Sequence, residues 1–212
     1  MKRIFTKFWL LLLVVTSAYV SKAQTFTINS QAGLVAAINT LNTSGVASGG
    51  ANITFAANVA LTSELPAIGT TVLNASLNSS DQLIINGAGF TITGNYIGTR
   101  TGSLTSGAND AIFTLRGPDY VTFQNLTFAE QATNVTATPS IENAIGGYNL
   151  NATTPFDGCQ FITVTNCTFN MVKNSALSNS SIYFGSFIHT GTTSLGWAPF
   201  ATSPGDMHRE IT

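Results

Sequence analysis

The stretch Val121-Thr-Phe-Gln-Asn125-Leu-Thr-Phe128 decides the fold, because it returns 41 residues later as Ile162-Thr-Val-Thr-Asn166-Cys-Thr-Phe169. In each copy apolar residues alternate with Thr or Gln, an Asn interrupts, and the alternation resumes one step out of phase. Successive side chains of a strand point to opposite faces. In a straight strand Val121 and Phe123 would therefore face one way, and Leu126 and Phe128 the other. An Asn in the left-handed region bends the chain and returns both pairs to one interior, and Asn tolerates that conformation better than most residues. A weaker copy, Leu83-Ile-Ile-Asn86-Gly87, lies upstream. Strand, single-residue bend and strand, repeated along the chain, describe stacked units. Stacking in register sets Asn125 beside Asn166, where their amides can bond as a ladder.

Short runs of the same kind extend in both directions. Ile53-Thr-Phe55, Val59-Ala-Leu61, Leu83-Ile-Ile85, Phe90-Thr-Ile92 and Ile112-Phe-Thr-Leu115 read as strands, most of them separated by Gly, Asn, Asp or Pro. A hairpin sandwich calls for two-residue turns between longer strands; Asn86-Gly87 alone fits that alternative. One helix is predicted, over about residues 31–42. Ser30 is its N-cap, and Leu34, Val35, Ile38 and Leu41 form an apolar stripe at helical spacing. Thr43-Ser44-Gly45 stops it. Such a stripe ahead of many strands must be buried, and the open end of a strand stack needs a cap.

The N-terminus reads as a secretory signal occupying residues 1–23. Lys2, Arg3 and Lys7 precede an apolar run from Phe8 to Val15 that is too short to span a bilayer. Ser21-Lys22-Ala23 offers small residues for cleavage before Gln24. The expectation is a secreted or cell-surface protein with no membrane span after cleavage. Four of the eight basic residues leave with the signal, so four face nine acidic ones, a net charge of −5. No basic patch remains, which argues against nucleic acid and anionic lipid as partners. Ample Ile, Val and Phe argue against disorder.

Taken together, the helix ending in Ala36-Ala37-Ile38-Asn39, then Ile53-Thr-Phe55, Leu65-Pro66-Ala67-Ile68, the run Ile84-Ile85-Asn86-Gly87-Ala-Gly-Phe-Thr-Ile92-Thr-Gly94 and the Asn cassettes resemble the N-terminal part of a pectin-lyase-like repeat protein of the secreted bacterial type. The resemblance covers most of residues 25–170. It implies an all-β fold, a right-handed parallel β-helix (solenoid) with an N-terminal capping α-helix, over residues 24–212. It implies little about activity, since that fold carries lyases, hydrolases, adhesins and binding proteins. Arg209-Glu-Ile211-Thr212 reads like the start of a further cassette, so the chain is expected to be part of a longer protein.

The chemistry is sparse. Asp81, Asp110, Asp119, Glu130, Glu142, Asp157 and Asp206 are isolated in sequence, and no Asp-Asp pair divides acid from base as glycoside hydrolysis requires. The Asn-Thr-Asp, Asp-Asp and Gly-His-Gly stretches of the family's hydrolases are absent, and Arg116 alone does not make the acidic-and-basic set of its lyases. His189 and His208 have no neighbour at zinc-ligand spacing, so no metal is expected. No glycine-rich loop precedes a helix, so no cofactor is expected either. Two segments, Asn95 to Asn109 and Glu130 to Gly158, interrupt the regular rise and are read as flanking loops, where binding sites of stacked repeats often lie. Tyr96, Tyr148, Asn149 and Asn151 are the candidate sugar contacts there, although such residues more often line ordinary loops.

Cys159 and Cys167 invite a disulfide in an exported chain. With residues 161–165 extended at about 3.3 Å each, their Cα atoms stand more than about 15 Å apart, beyond the roughly 7 Å a bridge allows. No disulfide is predicted, and Cys167, in the position of Leu126, is expected to be a buried small hydrophobe. The leading expectation is an exported structural or binding module for an extracellular polysaccharide or a surface protein. The alternative is the N-terminal part of a polysaccharide lyase or glycoside hydrolase whose active site lies beyond residue 212.

Overall fold

The computed structural model describes residues 22–96, 111–131, 141, 143–150, 157–171, 180–184 and 209–211. Strands dominate, and every pairing among them is parallel. The first sheet sets β1 (Gln24–Ile28), β2 (Ala51–Phe55), β4 (Leu83–Asn86), β7 (Val121–Gln124), β10 (Gln160–Thr165) and β13 (Arg209–Ile211) side by side in that order. The second orders β3 (Val59–Leu61), β5 (Thr91–Gly94), β8 (Thr127–Glu130) and β11 (Thr168–Asn170). The third orders β6 (Ala111–Arg116), β9 (Asn143–Tyr148) and β12 (Ser180–Phe184). From β4 onward the chain visits first, second and third sheet in turn, three times over, and β13 rejoins the first. Ile68, bridged to Leu115, supplies the third sheet's contribution from the preceding pass.

The two cassettes stack in the register their sequences demand, Thr122 beside Thr163 and Phe128 beside Phe169. Asn125 and Asn166 turn the corner between first and second sheets at φ of 53° and 50°. Val121, Phe123, Leu126 and Phe128 are all buried as a result. The Asn166 Nδ2 donates to Asn125 Oδ1 at 2.6 Å, and Asn125 Nδ2 donates to Asn86 Oδ1 at 3.2 Å. The ladder thus runs through three strand layers and includes the weaker upstream copy.

Like stacks on like inside. Val59, Ile92, Phe128 and Phe169 form one column across the second sheet. Phe128 and Phe169 lie ring on ring, centroids 5.1 Å apart and planes 4° apart, while Phe113 meets Phe128 edge to face at 6.2 Å. Offset-stacked and edge-on pairs add about 0.5–1.5 kcal/mol each beyond area burial, which gives the interior a fixed geometry as well as apolar bulk.

Helix α1 (Gln31–Ser44) is capped by Ser30, whose side chain accepts from Gly33 N at 3.2 Å. It buries Leu34, Ala37, Ile38 and Leu41 and packs on β1, β3 and the short helix α2 (Thr71–Ser76). Two amide side chains pin it. Gln31 Oε1 accepts from Thr62 N at 2.8 Å, and Asn42 takes Gly69 N at 3.0 Å while donating to Ala67 O at 2.7 Å.

Three expectations need correction. The segment from Glu130 to Gly158 is not all loop, because Asn143–Tyr148 forms β9 between β6 and β12. Its Gly146-Gly147 pair hides the alternation that marks other strands. Leu115 aligns with Gly147, so one column position needs no side chain from β9. Cys167 is half-buried, where Leu126 in the same column is fully buried. It adjoins β11, which is the outermost strand of the second sheet among the described residues. Helix α2 and strand β1 had no sequence signal strong enough to assign.

Candidate functional site

Alternation leaves one side of the first sheet outside the core. Its rows are Thr25, Asn52, Ile84, Thr122 and Thr163, and, two residues on, Thr27, Thr54, Asn86, Gln124 and Thr165. All ten are half-buried or exposed, and none is charged. Neighbouring strands lie about 4.8 Å apart, so hydroxyl and amide groups repeat at that interval across the face, interrupted in the first row by Ile84. Asn125 and Asn166 border it at one corner.

The opposite corner, one residue before the first strand of each cassette, carries two aromatic rings. Tyr120 and Phe161 are half-buried and stack with centroids 4.5 Å apart and planes 8° apart. Both have left-handed backbones, φ 53° and 54°. Tyr120 N donates to Gln160 O at 3.0 Å, and Asp119 Oδ1 takes Gln160 N at 2.8 Å, which fixes the corner. For a bulky residue this conformation costs about 1–2 kcal/mol. The stacked pair returns about 0.5–1.5 kcal/mol, less than two such residues lose. Gly50 takes the corresponding corner of β2 at φ 80° with no Cβ to strain. Strain at Tyr120 and Phe161 that a glycine would avoid points to a use for the rings. The sequence held a usable signal: the cassettes extend one residue upstream, to an aromatic in both copies.

Three of the four residues singled out from sequence lie elsewhere. Tyr96 is 7% exposed, and its hydroxyl donates to Ala111 O at 3.2 Å, which makes it part of the core. Tyr148 ends β9, half-buried, and its carbonyl takes Gly117 N at 2.9 Å. Asn149 follows it and is buried, with an Oδ1 that has no hydrogen-bond partner among the described residues. Asn151 lies outside the described residues. Tyr148 and Asn149 are adjacent in sequence at the end of β9.

Ionisable groups are scattered. Burial raises the Asp157 carboxyl above the ordinary range, and the Asn74 side-chain donor at 3.4 Å pulls it partly back. Asp81 is held low by the Asn78 side chain and by Gly49 N. Burial pushes the Cys159 thiol far up, and Cys167 rises for the same reason. Both cysteines are free, and neither has the depressed pKa of a nucleophile. Among the described residues no group of three or more His, Cys, Asp or Glu side chains is placed to hold a metal ion. None of their helices is long and apolar enough to cross a membrane. What the arrangement offers is a hydrogen-bonding, uncharged surface with one aromatic corner. No protein-family model, curated protein or solved structure matches this chain.

Proposed function

We propose that this chain is an exported module built as a right-handed parallel β-helix of pectin-lyase-like kind, and that it binds a neutral extracellular glycan on the outer face of its first sheet. The cyclic visiting of three parallel sheets, with asparagine corners in register, supports the architecture. In that architecture α1 closes one end of the stack. The signal-like residues 1–23 support export, and β1 begins at Gln24, the residue after the expected cleavage point.

One observation carries the binding reading: the face is polar at every position of the two rows but Ile84, carries no charge there, and is bordered by a strained aromatic pair. Hydroxyl and amide groups repeated at strand spacing suit a polymer that repeats its own hydroxyls. Aromatic surface supplies the apolar contact that carbohydrate C–H groups accept. Uronic acids would find no cation among the ten side chains of the two rows. No particular observation favours the alternative of catalysis beyond residue 212. The test is retention of the protein, from residue 24 onward, on insoluble neutral polysaccharides and on pectate. The expected result is retention on a neutral polymer, reduced at least about tenfold, the equivalent of about 1.4 kcal/mol, by Tyr120→Ala with Phe161→Ala. Retention on pectate alone, or retention unchanged by the paired substitution, would overturn the reading.

A further inference from the structure

Asn86-Gly87 is the one Asn-Gly pair in the sequence. An asparagine followed by glycine is chemically exposed, because no side chain shields the next backbone nitrogen. We propose that Asn86 is a covalent modification site of this protein, deamidating by attack of the Gly87 nitrogen, and that the amide ladder determines when the reaction can proceed. The Gly87 nitrogen gives up its proton to solvent base and bonds to the Asn86 Cγ. The Cγ–Nδ2 bond breaks, and the nitrogen leaves as ammonia after taking up a proton. Water then opens the resulting five-membered imide at either carbonyl, leaving aspartate or its isomer linked through the side chain. No oxidant or cofactor is involved.

Three contacts hold the reactants apart in the fold. Gly87 N donates to Gln124 O at 2.8 Å, so the proton it must lose is engaged with the neighbouring strand. Asn86 Oδ1 accepts from Ala88 N at 3.0 Å and from Asn125 Nδ2 at 3.2 Å, which fixes the side chain. The backbone cannot swing freely either. A Cβ on Gly87 would collide with the Asn125 carbonyl and the Leu126 backbone, so the segment is pressed against the next layer. Attack therefore requires local opening of β4 from β7, and the rate follows the free energy of that opening.

The two products differ in fit. Aspartate keeps an oxygen for both donors and makes both bonds charge-assisted. The isomer adds a backbone atom where Gly87 already has no room. Either one places the first negative charge in the row Thr27, Thr54, Asn86, Gln124 and Thr165, which alters that face whatever it binds.

The experiment is peptide mapping by mass spectrometry after incubating the protein, from residue 24 onward, at mildly alkaline pH, folded and in urea. The expected result is conversion at Asn86 in urea and conversion at least about tenfold slower in the folded protein. Asn125→Ala, which removes one restraint on Asn86, should deamidate at an intermediate rate while still folded. If that variant does not fold, hydrogen exchange at the Gly87 amide of the unaltered protein serves instead, and the two rates must rise together in sub-denaturing urea. Equal rates in folded and unfolded protein would overturn the proposal. So would a folded Asn125→Ala that converts as slowly as the parent, or a deamidation rate indifferent to amide exchange.

Discussion

Replacing Asn125 with alanine tests the corner on which the stack turns. The side chain makes two bonds, accepting from Asn166 at 2.6 Å and donating to Asn86 at 3.2 Å. Each is worth about 1 kcal/mol net. The backbone sits at φ 53°, where alanine loses about 1 kcal/mol relative to a residue that tolerates the left-handed region. The loss should therefore be about 3 kcal/mol, or roughly 6–12 °C in Tm for a chain of this length. Asn125→Gly removes the bonds but not the backbone freedom, so its loss should be smaller, about 2 kcal/mol. Asn166→Ala gives up one ladder bond at an exposed position, and its cost should also be below that of Asn125→Ala. Because the two asparagines share a bond, the double alanine variant should fall short of the summed losses by about 1 kcal/mol. Urea denaturation followed by circular dichroism measures all four. An Asn125→Ala midpoint equal to the parent's, or strict additivity in the double variant, would refute the ladder as a source of stability.

Phe128 is fully buried among Phe113, Phe123 and Phe169, so Phe128→Ala should cost about 3–5 kcal/mol and sharply lower the urea midpoint; a loss under about 1 kcal/mol would contradict the packing. Burial raises the Cys159 thiol, so an aromatic disulfide reagent should titrate Cys167 in the native protein and Cys159 only after unfolding, with Cys167 speeding up as pH rises. Prompt labelling of both at neutral pH would place Cys159 at the surface. Because desolvation raises Asp157 when folded, the native state binds more protons than the unfolded one between the ordinary carboxylate value and the raised one. Stability contributed at this site therefore grows as pH falls through that window, and Asp157→Asn should flatten that part of the pH–stability curve measured by thermal melts.

The legible parts of the fold were those where one residue type has one physical use. Asn125 and Asn166 announced their corners because few other residues bend a strand that way, and the alternation around them identified Val121, Phe123, Leu126 and Phe128 as core. Ser30 and the stripe Leu34, Ile38 and Leu41 announced α1 for the same reason. Strand β9 was illegible because its register needs backbone from Gly146 and Gly147 and little from their side chains. The candidate face carries no signal of its own in the sequence. Its threonines form the polar half of an alternation, which does not distinguish a solvated face from a binding one. Tyr96 illustrates the converse: an aromatic beside a glycine-rich stretch looks available until its hydroxyl is found satisfied by Ala111 O.

The corners separate what the fold requires from what it tolerates. Left-handed residues fill two different corners: Gly50, Tyr120 and Phe161 stand at the one leading into the first sheet, and Asn125 and Asn166 at the one between first and second sheets. Glycine meets the backbone demand and adds nothing. Asparagine meets it and recovers energy through the ladder, so its presence is explained by stability alone. Tyr120 and Phe161 fit the same demand poorly, and their mutual stacking offsets only part of the strain. They are also half-exposed, so the fold does not collect their full apolar burial. A residue type that stability alone would replace, kept twice at one offset at the border of one uncharged face, is where a ligand contact should be sought first.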